Sequence, residues 1–187
     1  MQLIVPGNEK RILLHTCCAP CSSAILECMQ QNGLEPVIFY SNSNIFPIGE
    51  YEHRRNECCR YAESKGVEMV EDIYDHEDWL KITEGLENEP ERGGRCLQCF
   101  KYRLSHAARY AHERGIRLLT TTLASSRWKS LEQINEAGRW ACGSFDDVEW
   151  WDINWRKGGL QERRGQIIKE MDFYNQLYCG CEFSMWR

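Results

Sequence analysis

The chain has 187 residues, of which 42% are apolar and 27% are charged, as in soluble globular proteins that bury a substantial core. Its net charge of −5 excludes a uniformly basic nucleic-acid-binding protein but leaves room for local basic patches. The sequence has no run of about 18 apolar residues and no signal-peptide pattern. We therefore expect one cytoplasmic domain spanning residues 1–187, without membrane association.

The predicted elements alternate between short apolar strands and longer helices. A strand at 11–15 leads into a cysteine-rich loop, and Pro20 lies near the start of a helix that ends at Gly33. Further strands are predicted at 36–40, 67–70, 116–122 and 148–153, and further helices at 50–65, 77–87, 103–113, 130–140 and 160–171. This alternation predicts an α/β fold with a parallel sheet flanked by helices. Ligands of such sheets bind beyond the carboxyl ends of the strands, where the cysteine-rich loop lies.

Eleven cysteines are the unusual feature of the composition. Cytosolic thiols are kept reduced, so this number indicates metal binding or redox chemistry rather than a disulfide framework. Three groups stand out by their spacing: Cys17, Cys18 and Cys21, then Cys96 and Cys99, then Cys179 and Cys181. Four others fall inside predicted helices, where we expect them to pack as small apolar residues: Cys28, Cys58, Cys59 and Cys142.

The first two groups have the character of metal ligands. Zinc sites usually separate paired ligands by two to four residues, and neighbouring side chains of an extended chain point in opposite directions. The adjacent pair Cys17 and Cys18 therefore fits a single small ion poorly. A polynuclear cluster accommodates the pair more easily, and four thiolates suit [4Fe–4S]. The residues favour an iron–sulfur cluster and leave zinc as the alternative.

The third group has a single residue, Gly180, between its two cysteines. A disulfide across so short a loop is strained and easily reduced, which suits a redox couple, and two further metal ligands are the alternative. A thioredoxin-like dithiol at Cys18 and Cys21 is also conceivable, although the extra Cys17 counts against it. His15 adjoins the loop and is a candidate to hydrogen-bond a metal ligand.

Charge and aromatic residues are unevenly distributed. Residues 63–91 carry eleven acidic side chains against Lys65 and Lys81, which leaves a net charge of +4 for the rest of the chain. Basic stretches at 101–117 and 156–169 flank the cysteine groups and indicate either solvated helix faces or an anionic partner. Five tryptophans crowd the second half, and we expect at least half of them to lie in the core: Trp128, Trp140, Trp150, Trp151 and Trp155.

Five sequence blocks, in order, resemble those of the QueH family of epoxyqueuosine reductases. They are HTCCAPCS at 15–22, NSNI at 42–45 with EYxxR at 50–54, RCxxCFxxRL at 95–104, TTL at 121–123 and YCGCxFS at 178–184. Three positions depart from the family pattern. Ser43 and Arg127 stand where prolines are usual, and Asn175 stands where an arginine is usual.

The resemblance implies an enzyme of the last step of queuosine biosynthesis. It would reduce epoxyqueuosine, already present at the wobble position of a tRNA anticodon, to queuosine, using electrons from an unidentified donor. The resemblance also implies a single-domain sheet similar to that of the PP-loop ATP pyrophosphatases, a HUP-like fold.

The same resemblance implies roles for individual cysteines. Four would bind a [4Fe–4S] cluster: Cys17, Cys18, Cys96 and Cys99. Two, Cys179 and Cys181, would form a redox-active disulfide and act in catalysis. Family members also hold a second iron beside the cluster, for which Cys21 and Asp75 are the candidate ligands in this chain.

Two other functions compete with this one. The first is a zinc-stabilised nucleic-acid-binding module without catalysis, which would be colourless and contain no iron. The second is an ATP-using tRNA thiolation enzyme on the same type of sheet. The sequence disfavours the thiolation enzyme because it lacks the phosphate-binding loop rich in serine and glycine.

Overall fold

The computed structural model describes residues 1–174 and 176–185. Its centre is a parallel sheet of five strands in the order β3-β2-β1-β4-β5. The strands are β1 (Arg11–His15), β2 (Glu35–Tyr40), β3 (Met69–Glu71), β4 (Leu118–Thr121) and β5 (Glu149–Trp150). The predicted α/β class and the parallel sheet are confirmed.

Six helices flank this sheet within the described part of the chain. They are α1 (Ala19–Gln31), α2 (Ile48–Lys65), α3 (His76–Ile82), α4 (Gly94–Glu113), α5 (Leu131–Cys142) and α6 (Leu160–Glu170). Helix α1 packs against α2 and α6, while α4 packs against α3 and α5. Because parallel crossovers are right-handed, these two groups cover opposite faces of the sheet.

The core follows from the apolar strands. Ile12, Leu13 and Leu14 of β1 are fully buried, as expected for the central strand of a sheet covered on both faces. Burying each such side chain contributes about 2 kcal/mol. Cys28, Cys58 and Cys142 are buried among the helices as expected, whereas Cys59 is only half-buried. Three of the five clustered tryptophans are in the core, at positions 150, 151 and 155.

The largest difference from the predicted elements concerns α4, which begins at Gly94 rather than at 103. The preceding acidic loop holds this start in place. The Gly94 amide donates to a Glu89 carboxylate oxygen at 2.9 Å, and the buried Arg95 guanidinium donates to the carbonyls of Leu86 and Glu87. Cys96 and Cys99 therefore lie on a helix, not in a loop.

Two short turns of 3₁₀ helix complete the end of the sheet where the cysteines gather. One, Thr122–Ser125, directly follows β4, and the other, Glu182–Ser184, follows the last cysteine. No helix within the described ranges is both long enough and apolar enough to cross a membrane.

Candidate metal and redox site

A cavity of about 670 Å³ is lined by residues that directly follow β1 and β4. Each of the three cysteine groups contributes to it. Cys17 comes from the bend before α1, Cys21 from the first turn of α1, Cys96 from the start of α4, and Cys179 from the segment 176–185. The fold thus brings together thiols that are far apart in the sequence.

The first group is the tightest cluster of potential ligands in the described chain. The sulfur atoms of Cys17, Cys18 and Cys21 all lie within 4.8 Å of one another, and those of Cys17 and Cys18 are 3.8 Å apart. Sulfur ligands of one tetrahedral ion at 2.3 Å would be separated by about 3.8 Å. The adjacent pair was expected to fit a single small ion poorly, yet Cys17 lies in a bend and Cys18 caps α1, so their sulfurs lie at a spacing that one ion could accept.

The charges within this group differ from one thiol to the next. Hydrogen bonds from the Cys18 and Cys21 thiols hold the pKa of Cys17 well below its usual range. Burial raises the pKa of Cys18, and the interaction with Cys17 raises the pKa of Cys21 to about 12. The Thr122 hydroxyl also lies 3.4 Å from the Cys17 sulfur. Cys17 is therefore the thiolate of the group, the form that binds metals.

Cys96 and Cys99 lie three residues apart at the start of α4, so they share one face of that helix. Cys96 lines the cavity, and its sulfur accepts a hydrogen bond from the Arg92 amide at 3.3 Å. Cys99 is buried against Trp79 and Cys181. Neither belongs to the tight group described above. The thiolates of a [4Fe–4S] cluster bind different iron atoms, so they are spaced more widely than the ligands of one ion.

The third group is a pair of free thiols whose pKa values are shifted in opposite directions. A hydrogen bond from the Cys181 thiol, aided by the charge of Lys129, holds the pKa of Cys179 well below its usual range. The same interaction raises the pKa of Cys181. The Cys179 sulfur also lies 3.1 Å from the Ser184 hydroxyl. A thiolate beside a thiol is the state from which a dithiol attacks or transfers electrons.

Arg54 of α2 anchors the segment that carries this pair. Its guanidinium donates to the carbonyls of Tyr178 and Cys179 at 3.1 and 3.2 Å, and it pairs with Glu50 at 2.6 Å. The Phe46 amide donates to the Gly180 carbonyl at 2.9 Å. These bonds fix the third group against the body of the domain.

Comparison with known proteins assigns this arrangement to a family. The family described as epoxyqueuosine reductase QueH matches residues 12–187. The QueH protein of Histophilus somni is 44% identical over 184 residues, which cover 98% of this chain and 76% of that protein. The QueH protein of Acinetobacter baylyi is 42% identical, with 99% and 85% covered. That of Thermotoga maritima is 30% identical, with 93% and 90% covered. The chain belongs to the QueH family.

His15 of this QueH-family chain supports the cavity rather than lining it. Its Nδ1 lies 2.7 Å from the Thr121 hydroxyl and its Nε2 lies 3.1 Å from the Ser41 carbonyl. Burial, together with the charge of Arg103, lowers its pKa to about 3, so the ring is neutral. The neutral ring ties the ends of β1 and β4 to the loop after β2.

Two other residues were singled out from the sequence, Asp75 and Asn175. The Asp75 carboxylate caps α3 by accepting a hydrogen bond from the Asp78 amide at 2.8 Å, and Asp75 lines a separate cavity of about 490 Å³. The structure does not bring it to the cysteine cavity. Asn175 is outside the described residues.

Sequence reasoning missed the cationic residues of the cavity. Arg103 belonged to a predicted basic stretch, yet it is buried and donates to the Ser41 carbonyl at 3.0 Å. Burial disfavours the charged form of Lys129, but the thiolates of Cys179 and Cys17 raise its pKa, so it stays an ammonium. The third block of the resemblance contains Arg103, but no block contains Lys129.

Proposed function

We propose that this chain, acting as one domain in the cytoplasm, reduces epoxyqueuosine in a tRNA anticodon to queuosine. Membership of the QueH family supports the reaction. The convergence of all three cysteine groups on one cavity is the structural observation that carries the proposal. A reaction that needs both metal ligands and a redox couple requires such a convergence.

The proposed reaction balances with groups that this chain and the solvent provide. Conversion of an epoxide to an alkene and water consumes two electrons and two protons. Oxidation of the Cys179 thiolate and the Cys181 thiol to a disulfide releases two electrons and one proton, and solvent supplies the second proton. An external reductant then returns the disulfide to the dithiol and completes the cycle.

The soft thiol donors of this cavity suit an iron–sulfur cluster, whose binding would require the Cys17 and Cys18 sulfurs to move apart from their separation of 3.8 Å. We assign its ligands to four thiols: Cys17, Cys18, Cys96 and Cys99. When bound, a [4Fe–4S] cluster would supply transfer of single electrons. Cys21 lies within 4.8 Å of Cys17 and Cys18 and is the thiol available to a second iron.

Lys129 and Arg103 supply positive charge at the wall of this cavity. Negative charge develops on the oxygen when the carbon–oxygen bonds of an epoxide break. A fixed cation near that oxygen stabilises the charge without reorganising solvent. We assign this role to Lys129 because its ammonium persists beside the thiolates.

The first experiment is anaerobic reconstitution with iron and sulfide, followed by metal analysis and turnover of tRNA that carries epoxyqueuosine. We expect brown protein with comparable iron and sulfide, and queuosine in the digested tRNA. Colourless protein that binds only zinc after reconstitution would overturn the proposal and favour the zinc-stabilised binding module.

A serine in place of Cys181 tests the dithiol. We expect Cys181→Ser to keep the cluster and lose at least tenfold in multiple-turnover rate, because no disulfide can form. Cys59→Ser is the matched control, since Cys59 is half-buried on α2 and does not line the cavity. Full multiple-turnover activity of Cys181→Ser would remove the dithiol from the mechanism.

A further inference from the structure

One aromatic side chain at the rim of the cavity is exposed, although most tryptophans within the described residues are buried. Trp128 lies in the short loop between the Thr122–Ser125 turn and α5, and 70% of its surface is exposed. It lines the same cavity as Cys17 and Cys179. An indole exposed beside a reactive cavity is placed to contact a ligand, and tryptophan is enriched at interfaces because its ring is apolar and its N–H is polar.

The loop that carries this indole is held in place by Arg92. The guanidinium of Arg92 donates to the carbonyl of Trp128 at 2.9 Å and to the carbonyl of Arg127 at 3.2 Å. The Arg127 guanidinium in turn lies 5.7 Å from the centre of the Trp128 ring. A fixed backbone presents the ring to solvent at a defined place, which lowers the entropy lost when a ligand stacks on it.

The charge of the cavity favours a polyanion. Six cationic side chains line it, against Glu91 and the thiolates of Cys17 and Cys179, although the chain as a whole carries −5. The six are Arg54, Arg92, Arg103, Arg127, Lys129 and Arg164. Phosphates of a nucleic acid complement this concentration of positive charge.

We propose that Trp128 is a stacking platform for an unpaired base of the anticodon loop, which holds the RNA while the modified nucleotide enters the cavity. This inference rests on the proposed function. Sequence-specific proteins recognise RNA loops by splaying out bases and stacking them on aromatic rings and guanidinium planes. Trp128 provides such a ring and Arg127 such a guanidinium plane at the entrance of the cavity.

The test compares two exposed tryptophans. Trp128→Ala should weaken binding of an anticodon stem-loop by about tenfold, in the range measured for loss of one stacked base, and Trp128→Tyr should restore most of it. Trp140→Ala is the control, because Trp140 is 55% exposed on α5 near Lys101 and does not line the cavity. Dissociation constants are measured by fluorescence anisotropy with the reconstituted protein.

Steady-state kinetics separate stacking from structural damage. Loss of a binding contact should raise KM by a similar factor and leave kcat within about twofold. A variant that lowers kcat and iron content together would show that the residue supports the cluster or the fold, which would overturn the proposal.

Stem-loops with an abasic nucleotide at each loop position locate the partner base. The penalty of Trp128→Ala should disappear at one position, because the base that stacks on the ring is already missing there. A penalty that persists at every position would overturn the proposal.

The outcomes distinguish this inference from the proposed function. If the wild-type protein neither binds the stem-loop nor reduces it, the proposed function fails. If the wild type does both while Trp128→Ala matches Trp140→Ala, only the stacking platform fails. Impaired turnover with an acidic protein reductant but not with dithionite, at unchanged RNA affinity, would overturn the platform and assign the surface to the electron donor.

Discussion

Gly180 sets the geometry of the Cys179 and Cys181 pair. Its φ of +106° lies in the region that residues with side chains rarely adopt. A Cβ placed on it would lie 2.8 Å from the Ile45 Cγ1 atom and 3.1 Å from a guanidinium nitrogen of Arg54. Backbone conformation and lack of space both require glycine here, since Arg54 must approach closely to hold the two preceding carbonyls, those of Tyr178 and Cys179.

Gly180→Ala should therefore release the segment that carries the dithiol. We expect Cys179 and Cys181 of the folded variant to be alkylated faster than those of the wild type. Mass spectrometry measures the rate. Gly115→Ala is the matched control: its φ is +61°, but nothing lies within 4 Å of an added Cβ. The control should cost about 1 kcal/mol of stability without changing thiol reactivity. Equal alkylation rates in Gly180→Ala and wild type would contradict this account.

The thiols of the site could be identified from the sequence, whereas the contacts that hold them could not. Cys17, Cys96 and Cys179 belong to spaced groups, and the predicted sheet already placed the first of them at the carboxyl end of a strand. The bonds made by Arg54 to residues 178 and 179 span more than a hundred positions. No local pattern encodes such contacts, so an arginine that clamps a distant carbonyl resembles an exposed one in sequence.

At the level of elements, the strands were predicted from the sequence more accurately than the start of helix α4. The β1 and β2 strands were predicted almost exactly where they lie because a buried parallel strand needs an unbroken apolar run. The start of α4 was placed nine residues too late, at 103 instead of Gly94. Polar residues and two glycines at 92–95 disguise a helix whose first turn is fixed by Glu89 and by the buried Arg95.

Helix α1 is linked to two other helices by one carboxylate. Glu27 pairs with Lys65 at the end of α2 at 2.9 Å and with Arg163 on α6 at 2.7 Å. The hydrogen bond from Arg163, and then those from Lys65, hold the pKa of this carboxyl below its usual range. These contacts join three helices on one face of the sheet.

Glu27→Gln should lower stability in a pH-dependent way. A carboxyl whose pKa is lower in the folded than in the unfolded state stabilises the fold above its unfolded pKa of about 4.3. That contribution disappears as the pH falls through the folded pKa. Urea unfolding should show a lower midpoint for the variant at pH 7 and a shrinking difference below pH 4.3. A constant difference across this range would contradict a role for the charge.

On the scale of the whole molecule, charge is separated between the two cavities. The cavity of about 670 Å³ is cationic, while the one of about 490 Å³ is lined by Glu71, Asp72, Asp75, Asp78 and Glu113. Segment 63–91 thus places four acidic side chains in the second cavity and one, Glu91, in the first. An RNA approaching this protein is attracted to the cationic cavity and repelled by the acidic one.

Salt titrations of stem-loop binding should report this separation. The logarithm of the association constant should fall steeply with the logarithm of salt concentration, and Arg127→Gln should reduce the slope by about one. Arg139→Gln is the control, since Arg139 is exposed on α5 and pairs with Asp152 at 2.7 Å. Identical slopes for wild type and Arg127→Gln would show that Arg127 contacts no phosphate.

The all-parallel sheet has a consequence for how the molecule assembles. No strand pair can close through a hairpin, and the His15 to Thr121 contact at the centre spans 106 residues. Contacts of such high sequence separation form slowly because the chain must lose loop entropy before they stabilise it. During that delay the cysteines are unprotected. A chain that refolds in air therefore offers eleven thiols to oxidation, and its recovery depends on excess reductant until the centre of the sheet has closed.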